Sequence, residues 1–488
     1  MSARIVLLSA LTTCSFAALG HAQWTYTRLH PAAALSSVGE RGDASQQVGS
    51  VSMAPGAEHA ARWSGSASSW VDLHPTGFTS SRCTDIDGAR QVGSVTTPST
   101  EFAALWNGSA GTFVNLHPPG PATFSRVWGA GGGAQVGFID KGNFNADACM
   151  WSGSAASFVN LAPPGSTFSV ARDAAGGQQV GQVHFGGVVH AAIWAGSAAS
   201  FVDIHPTSGF NITQAIGTDG VQQVGRGVNT AAQTRACLWS GSASSFVDLT
   251  PVVASSAEAL AVDSGVQVGW FNFPFQAQHA CLWRGNAASM VNLHDALPSN
   301  YSYSIATSVW QAGGRTWVLG SARNPLTGQN EAVLWWSLKY ETYCTGKLNS
   351  LGCTPAISST GFAASATSSS FFFLRATALR NQTSGLLFYG AAGRASAPFA
   401  GGTMCVASPR LRGVTLQSGG SNSPAVDCSG VFTMDLHGFR SGALGGSPAA
   451  FLALPGTLVD FQFWGRDPGF TPPNNVQLSN ALEIEIGP

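Results

Sequence analysis

Few side chains of this chain could do chemistry, and they are scattered. His30, His74, His117, His205 and His294 each precede Pro or Asp at the end of matching short words, and a ring of imidazoles could ligate a metal ion. Ala162 and Thr250 hold the same place in other copies, so the expected role is a hydrogen bond that ends a strand, and no metal is assigned. "DIDG" at Asp85 to Gly88 has the carboxylate spacing of a short calcium loop. It occurs once, and corresponding turns hold Asp219 or Asp263 alone, as ordinary hairpin turns do. "RGD" at Arg41 to Asp43 falls in another such turn. The chain contains no His-Glu-x-x-His, Gly-x-Ser-x-Gly, Cys-x-x-Cys or phosphate-cradling Gly-x-x-x-x-Gly-Lys. "GAGGGAQVG" from Gly129 has no Lys to meet a phosphate. No catalytic residue and no cofactor is expected.

Aromatic residues offer a different kind of site. "WFNFPFQAQH" places Trp270, Phe271, Phe273 and Phe275 within six residues, more than strand packing needs, and Phe144 and Phe185 lie in matching segments of other copies. Exposed aromatic groups mark contact surfaces. With charged residues at 10% of the chain and a formal net charge of -1, stacking and amide hydrogen bonding suit a neutral glycan or a protein partner. The same neutrality excludes counterion-driven binding to nucleic acid or anionic membrane.

The elements that must position these residues are repeated. "QVG" begins at Gln47, Gln91, Gln135, Gln179, Gln223 and Gln267, each 44 residues after the last, and "WVLG" from Trp317 makes a seventh unit. The tryptophans Trp63, Trp106, Trp151, Trp194, Trp239, Trp283 and Trp335 follow the same beat. In the unit from Phe158, "FVNLAP", "TFSVARDA", "QQVGQV" and "HAAIW" read as four strands parted by Gly-rich turns. Four strands per unit match the blade of a β-propeller. No "SGSAASFVDL" follows Trp335, so the ring is expected to close with "WTYTRLHP" from Trp24.

The words "HAARW" from His59, "HAAIW" from His190 and "HACLW" from His279, set after "QVG" and before "DL", resemble the HAF-type extracellular repeats of bacteria. The resemblance spans about residues 24–336 and implies an exported, propeller-like repeat protein with no defined reaction. "CTGKLNSLGCTP", "TMCV", "DCSG" and "QFWGRDPGF" are similar to a C-terminal module of secreted planctomycete and myxobacterial proteins, which again implies export or surface display.

The expected domain organisation is a signal peptide at 1–22, a seven-repeat propeller at 23–339 and a C-terminal β-sandwich at 340–488. Residues 1–22 carry Arg4, an apolar stretch from Ile5 to Leu19 and small residues at the cleavage point. No later run is apolar enough to span a bilayer, and the mature protein is read as exported and monomeric. Cys83, Cys149, Cys237 and Cys281 fall where other copies have Ala, so they read as small buried thiols. Cys344, Cys353, Cys405 and Cys428 read as disulfides, with Cys344–Cys353 and Cys405–Cys428 expected as nearest neighbours and other pairings open. The favoured function is non-catalytic binding or scaffolding on the loop face. The alternative is a polysaccharide hydrolase or lyase, which two or three carboxylates converging at the channel mouth would mark.

Overall fold

The computed structural model describes residues 24–120, 122–142, 145–361 and 372–487. The signal-peptide reading at 1–22 lies outside them. The chain divides into two compact units that meet at Ser337/Leu338, beside the expected 339/340 boundary. Among the described residues no helix is long and apolar enough to cross a membrane.

The first unit is a seven-bladed β-propeller. Each blade is a four-stranded antiparallel sheet; in blade one the strands run outward from the channel as Ser36–Gly42, Gln47–Ala54, Ala57–Trp63 and Val71–Asp72. Blade seven takes its first three strands from Tyr303–Ala312, Arg315–Arg323 and Asn330–Ser337. Its outermost strand is Trp24–Arg28, paired antiparallel with Thr27 opposite Leu334. The two ends of the unit are thereby held in one sheet.

The repeated words have separate mechanical tasks. The innermost strand of every blade carries a β-bulge, at Glu40 in blade one and Arg172 in blade four, which drives a carbonyl toward the neighbouring strand. The glycine of "QVG" accommodates it: a Cβ at Gly49 would lie 1.9 Å from the Val38 oxygen, and one at Gly137 1.8 Å from that of Arg126. The glutamine of the same word caps the following turn, its Oε1 accepting from Gly65 N–H in blade one and from Gly285 N–H in blade six, 2.8 Å each. The seven repeated tryptophans are fully buried. Trp106, for instance, packs with Cys83, Val95 and Ala104 of its own blade and Val48 and Ala60 of the preceding one. An indole buries roughly 150–250 Å², so each contributes about 4–6 kcal/mol of transfer free energy. The four thiols are free and buried, and burial pushes their pKa up, which keeps them protonated.

The repeated histidines do more than end a strand. In the innermost strand of the next blade, a hydroxyl accepts the backbone N–H of the alanine in the "HA" word: Ser81 from Ala60 at 2.9 Å, Ser125 from Ala103 at 2.9 Å, Ser304 from Ala280 at 2.9 Å. The hydroxyl then donates to His Nδ1, as Ser81 to His74 at 2.9 Å and Ser304 to His294 at 2.7 Å. With Nδ1 accepting, the proton sits on Nε2, which for His294 meets the Tyr301 carbonyl at 3.1 Å. Burial holds His294 at about 4, so the ring stays neutral. Blade six has Ala257 where the hydroxyl should be. There Thr250, at the histidine position, accepts from Ala236 N–H at 2.9 Å instead.

The second unit is a β-sandwich. A five-stranded sheet (Tyr340–Tyr343, Val476–Glu485, Leu458–Arg466, Ser384–Gly390, Leu411–Gln417) and a three-stranded sheet (Ala356–Gly361, Phe372–Leu379, Gly430–Asp435) share a core that includes Phe372, Tyr389, Phe432, Phe439, Phe461 and Phe463. The disulfide pairing corrects the nearest-neighbour expectation. Cys344 bonds Cys405 and Cys353 bonds Cys428. Tyr343 hydroxyl donates to Asp460 Oδ1 at 2.7 Å and lies 2.8 Å from the Cys405 carbonyl, which seats Cys344 beside Cys405. Asn349 accepts from Leu351 and Cys353 N–H and donates to the Ala378 carbonyl, and so turns Cys353 toward the other sheet. Loops of 61 and 75 residues are closed, for which chain entropy alone is worth about 4 kcal/mol each.

Two outcomes test this account of the ring. Deleting residues 24–31 should lower the melting temperature of the propeller substantially in calorimetry. Thr250→Ala should leave the Ala236 N–H unpaired, at about 1–3 kcal/mol, and lower the melting temperature by several degrees; adding Ala257→Ser to that variant should recover most of the loss.

Candidate functional site

Consecutive antiparallel strands put the turns between second and third strands, and the connections from one blade to the next, on one face of the ring. This is the face with variable sequence. The aromatic group of blade six divides there. Phe271 is fully buried between blades five and six, against Val224, Leu238, Cys281 and Trp283, and is removed from any contact surface. Its place in the repeat is that of Val51 and Val95 in earlier copies, both buried, and strand periodicity alone would have assigned it inward. Phe273 is part-buried on the same cluster, with its ring 5.1 Å from Phe271 and 6.1 Å from His279. Trp270 is half-buried and stands opposite Glu258 across the strand pair. Phe185 packs on Phe201 at 5.6 Å, and Phe144 lies outside the described residues.

Phe275 remains. It is fully exposed, in a left-handed turn with φ 63°. Three apolar residues that were not anticipated share its face: Val252 (101% exposed) and Val253 (58%) in the connection between blades five and six, and Leu326 (85%) in blade seven. Ser255 N–H donates to the Asn272 carbonyl at 2.9 Å, which sets the Val252–Val253 turn beside the Phe275 turn. The signal was readable: "PVVASS" places two valines where the earlier copy reads "PTGFTS".

The second concentration of functional groups is the channel. Arg41 and Asp85, read from sequence as turn residues, lie in innermost strands and meet in its interior. Arg41 Nη1 donates to the Thr307 carbonyl of blade seven at 2.6 Å, Nη2 to Asp173 Oδ2 of blade four at 3.3 Å, and Nε lies 3.7 Å from Asp85 Oδ1 of blade two. Asp85 accepts from Ala130 N–H of blade three at 2.8 Å and Asp173 from Thr218 N–H of blade five at 3.0 Å. Burial pushes Asp85 up to about 8 and Asp173 also upward, with Arg41 opposing. Carboxylates do converge here, then, but both are turned onto one arginine, and each also holds a backbone N–H of the next blade. The cluster has the geometry of a clasp across the ring.

Nearer the loop face, ion pairs cross between blades: Arg82 with Glu58 at 2.9 Å, Arg126 with Glu101 at 2.6 Å, and Arg226 with Glu258 at 3.9 Å. Burial holds Glu40 at about 7 despite Arg82 and Arg41 nearby. A polar cleft of about 120 Å³ opens among Arg82, Thr84, Ser94, Glu101, Arg126 and Trp128. No group of three or more His, Cys, Asp or Glu able to hold a metal occurs among the described residues.

No protein-family model and no curated protein matches this chain. Among solved structures it is similar to TolB from Acinetobacter baumannii (8% identity, TM-score 0.38, 52% of this chain and 62% of that one). It is also similar to the β-propeller domain of the Trilobed protease from Pyrococcus furiosus (9%, 0.41, 62% and 94%) and to a structure from a study of two prolyl endopeptidases (9%, 0.42, 71% and 55%). The chain thus spans less than two thirds of the TolB and prolyl endopeptidase chains.

Separate substitutions distinguish the two classes of aromatic residue. Phe271→Ser should destabilise the propeller by about 3–5 kcal/mol, as loss of a buried Phe does, and lower its melting temperature by ten degrees or so. Phe275→Ser should leave the melt unchanged within about 0.5 kcal/mol; a matching loss would place Phe275 in the core.

Proposed function

We propose that this is an exported, non-catalytic binding protein that contacts an extracellular protein surface or a neutral glycan through the loop face of its propeller. The observation that supports the reading is the grouping of Phe275, Val252, Val253 and Leu326 as exposed apolar residues on that face. Apolar tips held on a rigid ring form a contact surface without an ordering cost at the strands. Two disulfides and the leader-like residues 1–22 suit an oxidising, extracytoplasmic compartment, as do the HAF-type words and the C-terminal module. The hydrolase or lyase alternative would have to work through Asp85 and Asp173, whose engagement with Arg41 does not suit it.

The test compares the wild-type chain with Phe275→Ser/Val252→Ser. Immobilised wild type should retain a component of the extracellular fraction or a glycan on an array, and the double variant should lose it while melting at the same temperature. Release of reducing ends or unsaturated sugars from polysaccharide, abolished by Asp173→Asn, would replace this reading with the enzymatic one.

A further inference from the structure

We propose that the channel mouth on the loop face is a binding site for an acidic sugar, a uronic acid residue, with Arg172 taking its carboxylate. Arg172 is the bulge residue of the innermost strand of blade four. The other arginines around it are engaged: Arg126 with Glu101, Arg226 with Gln214 and Glu258, Arg41 with the carboxyl clasp. Among the described residues Arg172 has neither a hydrogen-bond partner nor an ion-pair partner, and its Nε is shielded from solvent with nothing to donate to. Its guanidinium lies 4.8 Å from the centre of the Trp128 ring, and Arg126 lies on the same ring at 4.9 Å. Burial lowers its pKa to about 10, with Arg226 and Arg126 adding to the shift and the Glu258 carboxylate, which makes no direct pair with it, opposing. An unpaired, desolvated cation costs stability, and a ligand anion removes that cost.

A second group beside it is also unmatched. Gln182 is 6% exposed and its Oε1 has no partner. It lies opposite Val170 on the adjoining strand, two residues before the Arg172 bulge, and its Nε2 is 3.2 Å from His184 Nε2. A free cation calls for a carboxylate, and a free amide oxygen calls for a hydroxyl or N–H donor. Trp128 also lines the polar cleft, where Glu58 and Glu101 are neutralised by Arg82 and Arg126 and Ser80, Ser94 and Thr96 offer hydroxyls to those of a sugar. A carboxylate and several hydroxyls on one ring is the chemistry of a uronic acid. The site shares a face with the contact surface proposed above but none of its residues, so the two readings fail separately.

The experiment is calorimetric titration of the full chain with D-glucuronate, D-glucose, acetate and inorganic phosphate, with thermal melts alongside. Glucuronate should bind saturably and raise the melting temperature, at least about tenfold more tightly than the other three, as a charge-assisted pair plus a buried hydroxyl bond implies. Arg172→Met should melt higher than wild type without ligand and lose the glucuronate shift. Gln182→Leu should bind glucuronate several-fold more weakly with its acetate response unchanged, and Phe275→Ser should bind as wild type does. The proposal is overturned if wild type does not bind glucuronate, if Arg172→Met binds it equally well, or if glucose, acetate or phosphate binds as tightly.

Discussion

One hydroxyl per blade boundary holds the ring together, and much of the sequence is arranged around it. In every blade but the sixth, a Ser or Thr at the start of the innermost strand accepts an N–H from the preceding blade and donates to a histidine where one is present. The contact is buried, so an unpaired N–H there would carry its full desolvation cost. Blade six shows the constraint most directly. With Ala257 in the hydroxyl position, the acceptor is restored from the other side by Thr250.

A chain with so few charges places many of them in its channel. The strand bulges turn Glu40, Trp128 and Arg172 out of regular alternation, and the clasp of Arg41 with Asp85 and Asp173 links blades one, two and four through the centre. Burial there makes each interaction stronger and each mismatch more costly. Most of the groups are matched. The Trp128 indole N–H, Arg172 and Gln182 are exceptions, and the acidic-sugar site rests on the last two.

The loop tips follow another logic. They stand outside the hydrogen-bond ladders, so Val252, Phe275 and Leu326 can be exposed without loosening a blade. Phe271, four residues before Phe275 and inside the strand, cannot vary in the same way, because it fills the joint between blades five and six.

From sequence alone, the seven units, their strands, the closing role of residues 24–31 and the inward placement of Cys83, Cys149, Cys237 and Cys281 were all legible. Each follows from local periodicity repeated in register, since one unit constrains how the others are read. Histidine was legible as a bonding residue, but its partner on the next blade was not. The tertiary structure decided what depends on packing between units. It brought Arg41 to Asp173, 132 residues apart, by radial convergence that no spacing encodes. It set Cys344 against Cys405 because strand pairing, not chain proximity, places the two sulfurs. It also divided the blade-six aromatics, burying Phe271 and exposing Phe275, because one lies in a strand facing a neighbouring blade and the other in a turn that faces water.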